Sequence, residues 1–149
     1  MASVNEAIGL VGNKQLRLAL MTLQEKGAGR IMKRALLSGA TIVKQGAKSL
    51  APVETGALRT AIQTFSTKSR KRGRVNVGVR VNPKYTKGER KPSKYAHLVE
   101  FGTRTAPANP FLRKALAQYK APATARITQV ARQRLRHEAK RARARGVLL

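Results

Sequence analysis

The chain contains no cysteine, no tryptophan and no aspartate. Without cysteine there is no disulfide framework and no thiolate chemistry, which fits a reducing compartment. With aromatics at only 4%, the core must be filled by Leu, Val, Ile and Ala. Acids are scarce, six glutamates against thirty-two lysines and arginines. They offer no obvious carboxylate pair for general acid/base work and no acidic cluster for a metal. His97 and His137 stand forty positions apart with no aspartate to orient them. Phosphate loops of the Walker type and nucleophile elbows are missing as well. The expectation is a protein without catalysis and without a cofactor. Long hydrophobic runs are also lacking, well short of the roughly 20 residues that cross a bilayer. Glu6 sits where a signal peptide carries positive charge, and Lys14 and Arg17 break the early apolar run. No signal peptide and no membrane partner are therefore expected, and synthesis in the cytoplasm is.

What is abundant is positive charge. The formal net charge is +26 over 149 residues, and such a surface repels itself unless something anionic lies against it. The charge is uneven. Residues 1–66 carry nine basic and three acidic side chains, and residues 67–149 carry twenty-three and three. An anionic partner is thus expected to meet the second half. The apolar fraction is 42%, and a domain of this size buries roughly 70% of its unfolded surface, enough for one core.

Residues 1–50 read as helix. Val4, Ile8, Val11, Leu16, Leu20 and Leu23 recur at near-helical spacing, and Gly27 and Gly29 predict a break. A second apolar stripe over 30–50 predicts an amphipathic helix that Pro52 ends. Val75, Val77, Val79 and Val81 alternate with polar residues and glycine, which predicts a strand. A preceding strand over 61–67, with Ile62 and Phe65 as its apolar members, completes a hairpin whose tip over 68–74 is basic. Residues 82–94 read as a charged surface loop. The stretch "YAHLVEFG" fits either a third strand or a helical turn. A helix begins at Phe111, with Asn109 as N-cap and Pro110 at the first helical position. Its apolar members are Phe111, Leu112, Ala115, Leu116 and Tyr119, and Pro122 is expected to kink or restart it. Residues 123–145 then read as a final helix with a weak apolar stripe of Ile127, Val130, Ala131 and Leu135. Like charges four apart (Arg132 and Arg136, Arg136 and Lys140) with only Glu138 to relieve them predict a segment that needs an anion for order. The expected fold is α+β, with N-terminal helices, a small antiparallel sheet and a long C-terminal helix. Residues 1–122 form the domain and 123–149 a basic helical extension.

Two motifs are more specific. "APVETGALRTAI" over 51–62 contains Pro-x-x-Thr-Gly-x-Leu-Arg. "YAHLVEFGTRTAPANPFLRKAL" over 95–116 contains Tyr-Ala-x-x-Val-Glu-Phe-Gly-Thr and leads into Pro-Phe-Leu-Arg-x-Ala. In this order and separation they resemble the tail-component family of long-tailed bacteriophages, also called neck, tail-completion or head–tail joining proteins. The resemblance implies a structural virion protein that forms a homo-oligomeric ring, sixfold first and twelvefold as the alternative. The ring would join the filled capsid connector to the tail and leave a channel for DNA. Its implied neighbours are connector or head-closure proteins on one side and tail-terminator or tail-tube proteins on the other. The arginine-rich segment 126–145 is more basic than the family pattern, so its role is not carried over. The competing class is a cytoplasmic protein that binds nucleic acid without sequence preference, a monomer or dimer.

The candidate assembly residues are Pro52, Thr55, Gly56, Leu58 and Arg59 in the first motif. In the second they are Tyr95, Glu100, Phe101, Gly102, Thr103, Pro110 and Phe111. Glu100 is read as an inter-subunit ion pair or backbone cap, or else as a local salt bridge with Arg104. Gly56 and Gly102 are read as positions of positive φ, and Pro110 and Phe111 as a helix start and core anchor. Candidate contacts to DNA or to an acidic partner are Lys68, Arg70, Lys71, Arg72 and Arg74 at the hairpin, and Arg132, Arg136, Lys140, Arg141, Arg143 and Arg145 near the C-terminus. With no interleaved aromatics, such contacts would go to phosphates and ignore base sequence.

Overall fold

The computed structural model of the chain describes residues 25–68 and 75–144. The expected helix bearing Val4 to Leu23 and most of the hairpin tip lie outside the described residues. The elements are α1 (Glu25–Leu50), a short α2 (Ala57–Ala61), β1 (Ile62–Lys68), β2 (Val75–Val81), α3 (Pro92–Phe101) and α4 (Phe111–Ala144). The class is α+β, as the sequence predicts.

Helix α1 is the central element. It contacts both strands, α2 and, along much of its length, α4. It runs through Gly27 and Gly29 without the predicted break. A helical glycine costs only about 1 kcal/mol, and the buried Ile31 and Ala35 anchor the turns that follow. At Gly29 an added Cβ would meet nothing within 4 Å. Gly29→Ala is therefore expected to stabilise the chain by about 0.5–1 kcal/mol. A urea midpoint that rises at unchanged slope would register this.

Farther along α1, glycine is required by contact. A Cβ at Gly39 would stand 2.5 Å from Ile127 Cγ1 and 2.9 Å from the Ala123 carbonyl oxygen, and one at Gly46 would stand 2.3 Å from the Tyr119 ring. Rising sequence number in α1 meets falling number in α4, so the two helices run antiparallel at close range. On α4, Phe111, Ala115, Ala123, Ala131 and Leu135 are buried, with Tyr119 and Ile127 half-buried between them. Every fourth position from 111 to 135 thus faces inward. Four residues turn a helix about 40° past one full rotation, so the seam winds slowly around α4. The seam crosses Pro122, which lies inside the helix, and the helix does not restart there. Pro122 is exposed, so the carbonyl that loses its usual N–H partner is on the solvent side. Nor is the arginine-rich half ordered by an anion alone, because Ala131 and Leu135 anchor it. Leu116, which the sequence placed on the apolar stripe, is exposed.

The sheet has two antiparallel strands with Ile62 opposite Val81, Thr64 opposite Val79 and Ser66 opposite Val77. Ile62, Val79 and Val81 join the core with Ala47 and Phe111. A lone hairpin is marginal, and α1 backs this one. Phe65 points to the opposite face from Ile62, because strand residues three apart cannot share a face. There its ring covers Gly78, whose Cβ would lie 2.8 Å from it, and the Arg80 guanidinium stacks 4.9 Å from the ring centre.

Three local features ahead of α4 shape the chain's path. At α2, Thr55 does not supply the cap. The cap position belongs to Gly56 at φ 71°, with no side-chain cap bond. The loop after β2 stops at Lys91, because Pro92 starts α3, and the ambiguous "YAHLVEFG" stretch is helical. The loop is also tied down. Lys87 and Arg90 exchange backbone hydrogen bonds across a tight turn at Gly88, and the Lys87 ammonium donates to the Thr55 carbonyl at 2.9 Å. No helix among the described residues is long and apolar enough to cross a membrane.

Candidate functional site

The two motifs meet in space. Leu58 from the first shares one core cluster with Ala96, Phe111 and Ala115 from the second, and Tyr95 packs against it. Their small and apolar members therefore act as core, and Leu58 and Phe111 are buried within a single chain.

Glu100 organises the junction. It ends a row on α3, Pro92, Ala96 and Glu100, whose members are all buried. Only 4% of Glu100 is exposed. Gly102 closes α3, donating its N–H to the Leu98 carbonyl at 2.8 Å with φ 79°. A Cβ on Gly102 would lie 2.8 Å from the Ala108 nitrogen. This position demands glycine on both counts, conformation and space. The chain then folds back in a turn. Thr103 N–H donates to the Ala106 carbonyl, the Thr103 hydroxyl accepts from Ala106 N–H, and Asn109 N–H donates to the Val99 carbonyl.

That turn presents the start of α4 to the Glu100 carboxylate. Leu112 N–H donates to Oε2 at 2.9 Å and Arg113 N–H to Oε1 at 3.1 Å. A buried carboxylate thus satisfies two of the orphan donors that every helix start leaves, and its charge opposes the positive end of the helix dipole. The expected N-cap shifts accordingly. Lys114 N–H bonds to the Pro110 carbonyl, so Pro110 holds the cap position and Asn109 does not. Proline has no capping side chain, and Glu100 supplies one from another helix. Arg113 closes the arrangement. Its Nε donates to Glu100 Oε1 at 3.2 Å, its Nη2 to the Glu100 backbone carbonyl at 3.1 Å, and its guanidinium stacks 5.0 Å from the centre of the Phe101 ring. The local ion-pair partner is Arg113 rather than the anticipated Arg104.

Of the remaining first-motif candidates, Pro52, Thr55 and Arg59 are exposed. Phe101 is 67% exposed, with Leu98 one turn before it on α3 and Leu116 one turn beyond Arg113 on α4, both also exposed. Thr103 is exposed and occupied with its own turn. Among the basic candidates, Arg132, Arg136 and Lys140 line one strip of α4 together with Lys120 and His137. Arg141 points elsewhere, into a loose 3.7 Å pair with Glu138. Lys68 ends β1 and Arg143 falls in the last turn of α4. Arg70, Lys71, Arg72, Arg74 and Arg145 lie outside the described residues. Sequence reading missed Arg113, although it stands inside the Pro-Phe-Leu-Arg element. It also missed Gly39 and Gly46, whose spacing of seven on one helix face was the available signal.

One family model, described as "Bacteriophage HK97-gp10, putative tail-component", matches residues 14–102. The match takes in the first motif and the second as far as Gly102, and it leaves out the helix that Glu100 caps. No curated protein and no solved structure matches the chain. With more than half of its length matched, and with both motifs folded into one junction, the chain belongs to the HK97-gp10-like family of bacteriophage tail components.

Proposed function

We propose that this tail component assembles as a ring at the head–tail junction, joining the filled capsid connector to the tail and leaving a channel for DNA. Its task is mechanical, with no catalytic step. A sixfold ring is the first choice and a twelvefold one the alternative. Its neighbours would be connector or head-closure proteins and tail-terminator or tail-tube proteins. A tail component belongs to the virion and meets other phage structural proteins, and the finer placement is our reading.

The observation that carries it is the exposed apolar pair Leu98 and Phe101, one turn apart on α3, with a further exposed leucine, Leu116, on α4. A single surface leucine needs no explanation, but a phenylalanine left two-thirds exposed beside an exposed leucine is a candidate interaction site. Arg113 stacks on Phe101 and is itself held by Glu100, so the Phe101 ring is oriented before any partner arrives. Heterologous contacts that close produce rings. Electron microscopy and native mass spectrometry of the purified chain, alone and with its connector neighbour, are expected to reveal rings. Phe101→Asp should abolish them while the circular dichroism spectrum stays unchanged. A wild-type chain that remains monomeric or dimeric under both conditions would refute the ring and favour the nucleic-acid-binding alternative.

A further inference from the structure

Helix α4 carries ten basic side chains and one acid. Among the described residues, three of the ten are engaged: Arg113 with Glu100, Arg126 with Gln129 and Arg141 with Glu138. Lys120, Arg132, Arg136 and Lys140 are exposed, lie on one strip of the helix, and form no ion pair among the described residues. Between them the strip is lined by small residues such as Ala121, Thr124 and Thr128. Arg132, Arg136 and Lys140 succeed one another every four residues, about 6 Å of helix rise. Repulsion between neighbours at this spacing destabilises an isolated helix. The buried seam through Ala131 and Leu135 holds them there regardless.

We propose that this strip is the surface of the chain that contacts duplex DNA, through phosphates alone. The assignment rests on the reading of a ring with a DNA channel and gives that channel its lining. Charge complementarity selects the occupant. Duplex DNA carries one negative charge per about 1.7 Å of axis, dense enough to meet each cation of the row. The small intervening residues let a smooth backbone approach closely. Among the described residues the strip offers no Phe, Tyr or Trp ring for base stacking, so binding goes to phosphates and is independent of sequence.

The test uses the full chain and a 30-bp duplex of random sequence, with affinity followed by fluorescence anisotropy from 50 to 200 mM salt. Each phosphate contact contributes about 0.9 to the logarithmic salt slope. The triple variant Arg132→Gln, Arg136→Gln, Lys140→Gln is expected to lower the slope by about 3 and the affinity at 100 mM salt on the order of 100-fold. A control that loses the same charge, Lys84→Gln, Lys91→Gln, Lys94→Gln, should lower the slope by less than about 1. Arg132→Lys with Arg136→Lys should retain binding, which separates lost charge from lost fold. Equal losses in the triple variant and the control overturn the assignment. So does polyglutamate that competes as well as DNA at equal charge, since the occupant would then be an acidic protein. Particles imaged in the same samples keep the two readings apart. Rings that persist while the slope fails to respond sink the strip alone, and a responding slope without rings sinks only the ring.

Discussion

Glu100→Ala is expected to lower stability by roughly 2–4 kcal/mol, with the larger part coming from the helix cap and the smaller from the ion pair. The carboxylate is buried and accepts from two backbone N–H groups at the start of α4. Those donors would be left without a partner, and a buried donor stranded in this way costs about 1–3 kcal/mol. The ion pair adds less, because the Arg113 side chain is 61% exposed and exposed pairs contribute about 0–1 kcal/mol. For a chain of this size the loss corresponds to roughly 6–12 °C in Tm. Arg113→Ala should therefore cost about 1 kcal/mol or less. Calorimetry of the two variants decides the matter, and equal losses would mean that the ion pair, rather than the cap, holds the junction. Glu100→Gln should fall between them. It keeps the shape and one acceptor oxygen but turns an NH₂ toward a backbone donor.

Gly39→Ala should destabilise by about 2 kcal/mol, although the same change at Gly29 stabilises. Both positions lie inside α1 and gain the same helical propensity. They differ in what the new methyl meets. At Gly39 it meets the Ile127 side chain at 2.5 Å and the Ala123 carbonyl oxygen at 2.9 Å. The isoleucine can move, but the carbonyl moves only if α4 moves. The double variant Gly39→Ala, Ile127→Ala should cost less than the sum of its parts, since the deleted side chain makes room. A neutral Gly39→Ala in chemical denaturation would mean that the helices are not packed at this distance.

Several elements could be read directly from the residues, and the failures have physical causes. The four valines of β2 alternate without interruption, and the strand forms over those residues. The start of α4 was visible from "PANPF" to within one residue. Helix α3 was ambiguous because its inward row is Pro92, Ala96 and Glu100 while Leu98 and Phe101 face solvent. Apolar periodicity points there to the wrong side of the helix. The α4 seam was largely legible, since Phe111, Ala115, Tyr119, Ile127, Ala131 and Leu135 all stood on the expected stripes and Ala123 alone was overlooked. Ala123 lies just past Pro122, where a restart was expected, and a reading that weights large apolar residues adds the exposed Leu116 to the stripe. The partner of Glu100 was not legible at all. Twelve residues separate it from Leu112, and the turn that closes this gap rests on backbone bonds and on the left-handed Gly102. Both motifs fold into one junction, and much of their content serves the core; Leu98, Phe101, Leu116 and the first-motif surface are the parts left exposed.

One consequence of the uninterrupted α4 concerns energetics outside the particle. Phe111 and Leu135, both core residues, share that helix with the strip arginines, so occupancy of the strip and integrity of the fold are linked by mass action. Any polyanion that engages the native state alone raises the melting temperature of the whole chain and relieves self-repulsion. The stability of the isolated polypeptide in dilute buffer is therefore a lower bound on its value once its charge has been neutralised.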